Sequence, residues 1–233
     1  ISEISNTVAN IADVVDLPII VDADTGFGNA LNVIRTIKTL ERSGASGIQL
    51  EDQVFPKKCG HFDGKKVIPT SEMVQKIHAA VDTRYDNDLQ IIARTDAVVS
   101  EGLNSAIERA QSYIEAGADI TFVEAPGSEE ELARIANELK APQIANIVHG
   151  GKTPDLGRAK LAEFGFSLVL YANAALQAAL KASNEVLLTL KNSGNLSEVT
   201  GKLASFDERQ KVVKKPEWDN LETKYIFDEE SFL

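Results

Sequence analysis

The feature that most constrains this chain is a repeated unit in which a short apolar run ends in a polar residue and a helix-length segment follows. Such runs are typical of buried parallel strands, and helix-length crossovers keep successive strands parallel. Polar residues at the strand ends then collect at one edge of the sheet. The pattern predicts an α/β protein, a (β/α)8 TIM-type barrel with its active site at that rim. The six runs occupy residues 17–20, 47–50, 90–93, 120–123, 143–145 and 168–170.

The number of runs is smaller than a closed barrel requires. Six are visible where the barrel needs eight, and the chain opens with apolar residues at helical spacing rather than with a strand. We therefore expect about 60 residues, forming two βα units, to precede Ile1. The predicted barrel domain, with strands three to eight, covers residues 1–192, and a helical extension covers 193–233. An open doubly wound sheet, which needs no extra strands, is the alternative.

Helical patterns fill the segments between the runs and after the last one. Asn29 precedes an amphipathic stretch, and Gly44 stands where a helix terminator belongs. The last stretch, residues 214–233, mixes aromatic and acidic side chains and is predicted to dock on a neighbouring subunit. Helices are predicted at 29–43, from Thr70 onward, and at 103–116, 128–139, 155–164, 174–192 and 198–212.

Composition limits the partners of the chain. The formal net charge is -11 over 233 residues, and the isoelectric point is near 4.8. Nucleic acids and anionic membrane surfaces repel such a protein, so we expect neither as a partner. The single cysteine excludes an intrachain disulfide and fits a reducing compartment, and no apolar segment is long enough to span a bilayer. We expect a cytoplasmic protein.

Two carboxylates follow the first apolar run. Asp22 and Asp24 are two residues apart, and Gly26 and Gly28 come after them. Carboxylate oxygens are hard ligands that suit Mg²⁺ and Mn²⁺, and glycines allow close approach of backbone or ligand. The stretch therefore predicts a magnesium site in which manganese can replace magnesium. In the alternative interpretation the two aspartates only cap the turn after the strand.

The loop after the second run is long and rich in lysine, glycine and proline. A barrel loop of this length, residues 53–69, is usually a lid or a binding element. Lysines and a histidine next to Cys59 favour its thiolate, so Cys59 is a candidate nucleophile or general acid, with Lys57 and His61 as catalytic partners. One cysteine and one histidine are too few ligands for zinc. An inert thiol, and a His61 that only orients the lid, are the alternatives.

Polar residues end the later runs in the same way. Glu51, Arg94, Glu124 and Asn146 each follow an apolar run, and His149 comes soon after the fifth. At a barrel rim these residues are candidate metal or substrate ligands. Ordinary ion pairs and structural carboxylates are the alternatives, because ion-pair networks also lie at such rims. For His149, a substrate contact and a structural place in the loop both stay open.

These motifs together resemble those of the isocitrate lyase and phosphoenolpyruvate mutase superfamily. The resemblance covers nearly the whole chain and is closest to the short branch with methylisocitrate lyase, dimethylmalate lyase, oxaloacetate hydrolase and carboxyphosphonoenolpyruvate mutase. It implies a magnesium-dependent barrel enzyme whose last helices are exchanged between the subunits of a homodimer or homotetramer. The stretches that carry it are residues 21–28, 51–53, 57–61, 93–96 and 124–125.

The resemblance also implies how the metal is held. Asp24 would coordinate magnesium directly, and Asp22 and Glu51 would hold the water ligands of the metal. The cofactor expected from this set is Mg²⁺, with Mn²⁺ as a possible replacement.

Further roles follow for the residues around the substrate. Arg94 would clamp a substrate carboxylate, and Glu124 and Asn146 would contact other polar groups of the substrate. Lys57 and Cys59 would come down with the lid, and Cys59 would protonate the carbanion that bond cleavage leaves.

The implied reaction is cleavage of a carbon–carbon bond in a 2-hydroxy di- or tricarboxylate resembling methylisocitrate or dimethylmalate. The products would be a 2-oxo acid and a second carboxylate. A phosphonate-forming mutase, an oxaloacetate hydrolase and a non-catalytic metabolite-binding protein are the alternatives. His149 stands where relatives usually carry glutamate, and Ala172 stands where methylisocitrate lyases tend to have proline, so the substrate stays open.

Overall fold

The computed structural model describes residues 1–59 and 64–226, which form two compact units. The first unit is Ile1–Asn173, and the second begins at Ala174. This division falls before the boundary predicted at residue 192, because the helix that begins at Ala174 buries none of its side chains. Within the described part of the chain, no helix is long and apolar enough to cross a membrane.

Six parallel strands organise the first unit. Strands β1 to β4 pair in chain order, and β5 pairs with β6. A parallel bridge between Thr121 and Gln143 connects the two groups. The predicted α/β class with parallel strands is confirmed, and among the described residues the barrel is not closed, since β1 and β6 each pair with one strand only. The strands are β1 Ile20–Asp22, β2 Gly47–Glu51, β3 Gln90–Thr95, β4 Ile120–Val123, β5 Ile144–Asn146 and β6 Leu168–Leu170.

Helices connect the strands, largely where the sequence predicts them. Asn29 begins α2 through a capping box with Asn32, and Gly44, with a positive φ of 98°, follows its end. The short helix α4 was not predicted. The helices of this unit are α1 Ser2–Ala12, α2 Ala30–Arg42, α3 Thr70–Thr83, α4 Ala97–Glu101, α5 Leu103–Glu115, α6 Glu129–Glu138 and α7 Gly157–Phe164.

Apolar side chains on alternate strand positions build the core. Ile48 and Leu50 of β2 pack in one cluster with residues of α2 and α3. On neighbouring strands, Ile92, Ile120 and Phe122 belong to a separate cluster. Burying one large aliphatic or aromatic side chain contributes about 1.5–3 kcal/mol, so these layers fix the strands whose ends carry the polar residues.

The second unit consists of helices with widely exposed apolar side chains. Leu176, Leu180 and Leu187 of α8 are each more than 60% exposed, as is Trp218 of α10. The helix predicted over 198–212 is wrong: a 3-10 turn at Thr200–Lys202 precedes α9, which starts anew at a Ser205 capping box. Exchange of these helices between subunits stays a prediction, and residues 227–233 of the aromatic tail lie outside the described residues. The helices are α8 Ala174–Ser193, α9 Phe206–Val212 and α10 Lys215–Tyr225.

Candidate active site

The turn after β1 brings the first two predicted metal ligands together. Asp22 Oδ1 accepts a hydrogen bond of 2.9 Å from the Asp24 backbone N–H, so Asp22 does cap the turn. Asp24 itself has a positive φ of 49°. A side chain at Gly26 would place its Cβ 2.6 Å from Val33 Cγ2, which explains the glycine there. Capping the turn leaves further carboxylate oxygens available to a ligand.

Glu51 ends β2 as a fully buried carboxylate. Neither of its oxygens accepts a hydrogen bond from the described part of the chain, and Arg94 Nε lies 3.5 Å from Oε2. Burial raises the pKa of Glu51 to about 7, although the nearby Arg94 opposes this shift. A buried carboxylate without hydrogen bonds is costly for the protein alone, which is typical of a group that serves a ligand.

Arg94 is held in place by a network of buried charges. Asp96 accepts two hydrogen bonds from it, from Nε at 2.9 Å and from Nη2 at 3.1 Å, and the guanidinium carbon lies 4.9 Å from the Phe122 ring centroid. Lys65 Nζ donates to Asp96 Oδ1 at 2.8 Å. Burial opposes ionisation of Asp96, yet Arg94 and Lys65 together hold its pKa below its usual range. Arg94 and Asp96 therefore form the ion pair that the sequence analysis gives as an alternative, and this pair fixes the orientation of the Arg94 guanidinium.

Glu124 and Asn146 meet on neighbouring strand ends. Asn146 Nδ2 lies 3.2 Å and 3.3 Å from the two carboxylate oxygens of Glu124, and Arg94 Nη1 lies 3.7 Å from Glu124 Oε2. The Asn146 Oδ1 atom is buried and accepts no hydrogen bond from the described residues. The structure thus joins the predicted substrate contacts to Arg94 in one polar cluster.

The loop of residues 53–69 is anchored at both roots. Gln53 pairs with Val67 in an antiparallel bridge, and its side chain makes two hydrogen bonds of 2.9 Å with the Lys58 backbone. Lys57 Nζ forms an ion pair of 2.7 Å with Asp24 Oδ1. Cys59 is exposed. His61 lies outside the described residues, so its predicted catalytic role stays a prediction.

One cavity of about 450 Å³ collects most of the predicted site. Ala172 also lines it, whereas His149 lies exposed in the loop after β5 and is not among the lining residues. Asp24 and Glu51 adjoin the cavity through their ion pairs with Lys57 and Arg94. The polar residues that line the cavity are Asp22, Gln49, Lys57, Cys59, Arg94, Glu124, Asn146 and Asn173.

Two polar neighbours of the site, Gln49 and Asp52, are not predicted from the sequence. Gln49 lines the cavity two residues before Glu51, a spacing that puts both side chains on the same face of the strand and that could have revealed it. Asp52 accepts hydrogen bonds from the Asp96 backbone at 2.9 Å and from Tyr113 at 2.8 Å. No sequence signal pairs these residues, since the fold alone brings them together.

The donor set fits a small hard cation held mainly through water. Among the described residues, no three carboxylate, histidine or cysteine side chains lie close enough to hold one ion together. Magnesium usually keeps several waters and uses one or two carboxylates plus substrate oxygens. The unsatisfied oxygens of Glu51 and the carboxylates of Asp22 and Asp24 suit that arrangement.

Comparison with known proteins agrees with the sequence prediction. The family model for phosphoenolpyruvate phosphomutase matches residues 1–191. A 2,3-dimethylmalate lyase of Eubacterium barkeri is 46% identical over 198 residues, which are 85% of this chain and 68% of that protein. A 2-methylisocitrate lyase of Aeropyrum pernix is 48% identical over 203 residues, which are 87% of this chain and 65% of that protein. The chain thus spans about two thirds of the length of these relatives.

A solved structure shares the fold. The structure of oxaloacetate acetylhydrolase in complex with 3,3-difluorooxalacetate superimposes with a TM-score of 0.89 at 31% identity, covering 96% of this chain and 76% of that chain. The predicted resemblance and the predicted enzyme class are confirmed by these matches. With a family model over most of its length and two lyases above 40% identity, the chain belongs to the phosphoenolpyruvate mutase family of enzymes.

Proposed function

We propose that the chain carries the active site of a magnesium-dependent carbon–carbon lyase. Its substrate is a 2-hydroxy di- or tricarboxylate resembling dimethylmalate or methylisocitrate, and its products are a 2-oxo acid and a second carboxylate. The observation that carries the proposal is a cavity in which the oriented Arg94, the two carboxylates of Asp22 and Glu124 and the Cys59 thiol meet. Binding alone needs no thiol at this place.

Arg94 has the geometry of a carboxylate clamp. Asp96 accepts hydrogen bonds from Arg94 Nε and Nη2, which fixes the orientation of the guanidinium. Burial against the Phe122 ring shields the guanidinium from water, which strengthens its electrostatic attraction for an anion in the cavity. A substrate carboxylate held there is positioned before the reaction begins, which removes part of the entropic cost of reaching the transition state. Magnesium, when bound, would stabilise negative charge on the oxo-acid half of the substrate.

Cys59 supplies the proton that the cleavage requires. When the bond between C2 and C3 breaks, its electron pair stays on C3, while the 2-hydroxyl gives its proton to water and becomes the oxo group. A proton from the thiol then converts the carbanion into the second carboxylate product, and the thiolate takes a proton back from water before the next turnover. Lys57 lies two residues away and pairs with Asp24, so the same loop contacts both the metal site and the cavity.

Hydrolysis of oxaloacetate and phosphoryl transfer are the second candidates on this scaffold. The structural match to oxaloacetate acetylhydrolase favours the first, and the family model named for a phosphomutase favours the other. The two lyases above 40% identity support the lyase over both. The position of Cys59 in the cavity supports it over phosphoryl transfer, which leaves no carbanion to protonate.

We further propose a cytoplasmic homo-oligomer, a dimer or tetramer, that binds small carboxylates. The exposed apolar side chains of α8 and α10 support subunit contact, and the net charge of -11 speaks against nucleic acid as a partner. Light scattering of the purified protein measures the number of subunits, and a monomer at micromolar concentration would contradict this part of the proposal.

An assay of product release tests the proposed function. The protein is incubated with MgCl₂ and separately with 2,3-dimethylmalate, 2-methylisocitrate, oxaloacetate and phosphonopyruvate. A lyase releases one 2-oxo acid and one second carboxylate from a hydroxy acid in equal amounts. Oxalate and acetate from oxaloacetate would show the hydrolase instead, and binding without any product would leave only a metabolite-binding protein.

A further inference from the structure

The turn after β1, residues 23–28, has a backbone that few side chains favour. Four of its residues have a positive φ: Asp24 at 49°, Gly26 at 86°, Phe27 at 61° and Gly28 at 146°. Two of these residues are not glycine, and a bulky side chain such as that of Phe27 rarely adopts the left-handed region. Such conformations persist only where the surrounding structure holds them. The turn that carries Asp24 therefore needs restraint from outside.

The backbone carbonyls of this turn differ in their partners. The Ala23 carbonyl accepts a hydrogen bond of 2.9 Å from the Gly26 N–H, and the Asp24 carbonyl accepts one of 2.8 Å from the Glu51 N–H. These two bonds tie the turn to itself and to β2. The next two carbonyls, those of Thr25 and Gly26, accept no backbone hydrogen bond from the described part of the chain.

Side chains of two flanking helices supply the missing donors. Thr36 Oγ1 of α2 donates to the Gly26 carbonyl at 3.1 Å, and it also lies 3.1 Å from the Asn32 carbonyl of its own helix. Lys76 Nζ of α3 donates to the Thr25 carbonyl at 3.0 Å. Both side chains belong to buried residues. The turn is thus held from α2 and α3 as well as from β2.

The ammonium of Lys76 is the more unusual of these two groups. It has three N–H donors, yet its bond to Thr25 is the only hydrogen bond that it makes within the described residues. Glu72, the carboxylate that acts on its charge, is itself exposed. Burying an ammonium without an ion pair is costly, because the charge loses its water. An apolar side chain would fill this space without that cost, so the bond to the turn is what a lysine adds here.

We propose that Thr36 and Lys76 are positioning residues for the metal site, which hold the turn after β1 so that the Asp24 carboxylate stays beside Asp22. This inference rests on the proposed function, since it takes the magnesium site from there, and it adds two residues that do not line the cavity. Thr25 follows Asp24 directly. Loss of either side-chain hydrogen bond would let the left-handed backbone relax and move the Asp24 carboxylate.

Binding of Mn²⁺ to the protein without substrate tests the proposal, because free Mn²⁺ is measured directly by electron paramagnetic resonance. Thr36→Val removes the hydroxyl without changing the charge. We expect this variant to bind Mn²⁺ about 10-fold more weakly than wild type, the scale of losing a group that orients a metal ligand. Thr121→Val is the matched control, because the buried Thr121 hydroxyl accepts a hydrogen bond from Gln143 away from the turn. Both variants should lose stability in urea, but only Thr36→Val should lose Mn²⁺ affinity.

Lys76→Met is the second variant. Removal of a positive charge by itself favours binding of a cation, so a loss of Mn²⁺ affinity in this variant reports the lost hydrogen bond and not the lost charge. We expect a loss of about 10-fold here as well. Lys38→Met, which removes an exposed lysine of α2, is its control and should bind Mn²⁺ as wild type does.

Unchanged or tighter Mn²⁺ binding in Thr36→Val or in Lys76→Met would overturn the inference, as would an equal loss in Thr121→Val. A wild type that binds no Mn²⁺ would overturn it together with the metal site of the proposed function. The expected Mn²⁺ affinities in a protein that cleaves none of the acids offered would contradict the proposed function and leave the roles of Thr36 and Lys76 intact.

Discussion

Two buried carboxylates at neighbouring strand ends differ in what surrounds them. Asp96 accepts hydrogen bonds from Arg94 and Lys65, and its pKa is held below its usual range by these cations against the effect of burial. Glu51 is equally buried but accepts no hydrogen bond from the described residues, and burial raises its pKa to about 7. The first carboxylate is satisfied by the protein, whereas the second is left for a ligand. Substitutions should separate structural carboxylates from site carboxylates accordingly.

The largest effect is expected for a site carboxylate on the β1 turn. Asp24→Ala should lower turnover by about 10³-fold or more, because a direct metal ligand supports several kcal/mol of charge stabilisation. Its ion pair with Lys57 is about one third exposed, so folding stability should change by less than about 1 kcal/mol. Turnover and urea unfolding are measured on the same preparation. Asp22→Ala should lose less activity, and a full turnover rate in Asp24→Ala or in metal-free protein would contradict the metal site.

Asp96→Asn, unlike Asp24→Ala, should lower the free energy of unfolding strongly. The change removes the charge of Asp96, with which the buried Lys65 and Arg94 both pair, and this costs about 3–5 kcal/mol. The free energy of unfolding in urea measures this loss. Asp88→Asn removes an exposed carboxylate and should stay within about 0.5 kcal/mol of wild type. A loss below about 1 kcal/mol in Asp96→Asn would show that Asp96 is not structural.

Glu51→Gln should stabilise the metal-free protein at high pH. Because the folded pKa of Glu51 is raised from 4.5 to about 7, wild type loses stability as the pH rises between these values, and the loss is complete above pH 7. The variant should be more stable than wild type by up to about 3 kcal/mol at pH 8 and equal to it near pH 4. Asp96 has the opposite sign, since its lowered pKa makes its contribution disappear as the pH falls through that pKa. Urea unfolding with EDTA at the two pH values decides; a variant less stable at pH 8 would contradict the comparison.

Cys59→Ser tests the exposed thiol of the loop of residues 53–69. Lys65 anchors this loop through its ion pair with Asp96. Serine keeps the shape but is a much weaker acid, so turnover should fall by about 10²-fold while binding is retained. Turnover with whichever hydroxy acid is cleaved is measured beside the affinity for oxalate. Lys66→Met is the control, because Lys66 is exposed in the same loop, is not adjacent to Cys59 and does not line the cavity. An unchanged turnover number in Cys59→Ser would remove its role as the acid.

The sequence predicts the strands well because each apolar run is short, ends in a polar residue and must be buried on both faces. Strand-end residues such as Glu51 and Arg94 are found for the same reason. The partners of these residues are not predictable, since Lys65 and Asp96 are 31 positions apart and meet only in the folded chain. Gln49 is not predicted as a lining residue, because a single polar residue inside an apolar run is also compatible with an ordinary buried strand. The sequence does carry a signal for the break before α9, because Ser205 and Glu208 have the spacing of a capping box.

Glu51 is proposed to support a metal ion, whereas Asp96 stabilises the fold. Calorimetric titration of Mg²⁺ at pH 8 into wild type, Glu51→Gln and Asp96→Asn tests it directly. We predict that Glu51→Gln binds Mg²⁺ about 10- to 100-fold more weakly, the usual effect of losing a group that supports metal ligands. Asp96→Asn should bind Mg²⁺ as wild type does. Equal affinity in Glu51→Gln and wild type, or an equal loss in both variants, would contradict the assignment.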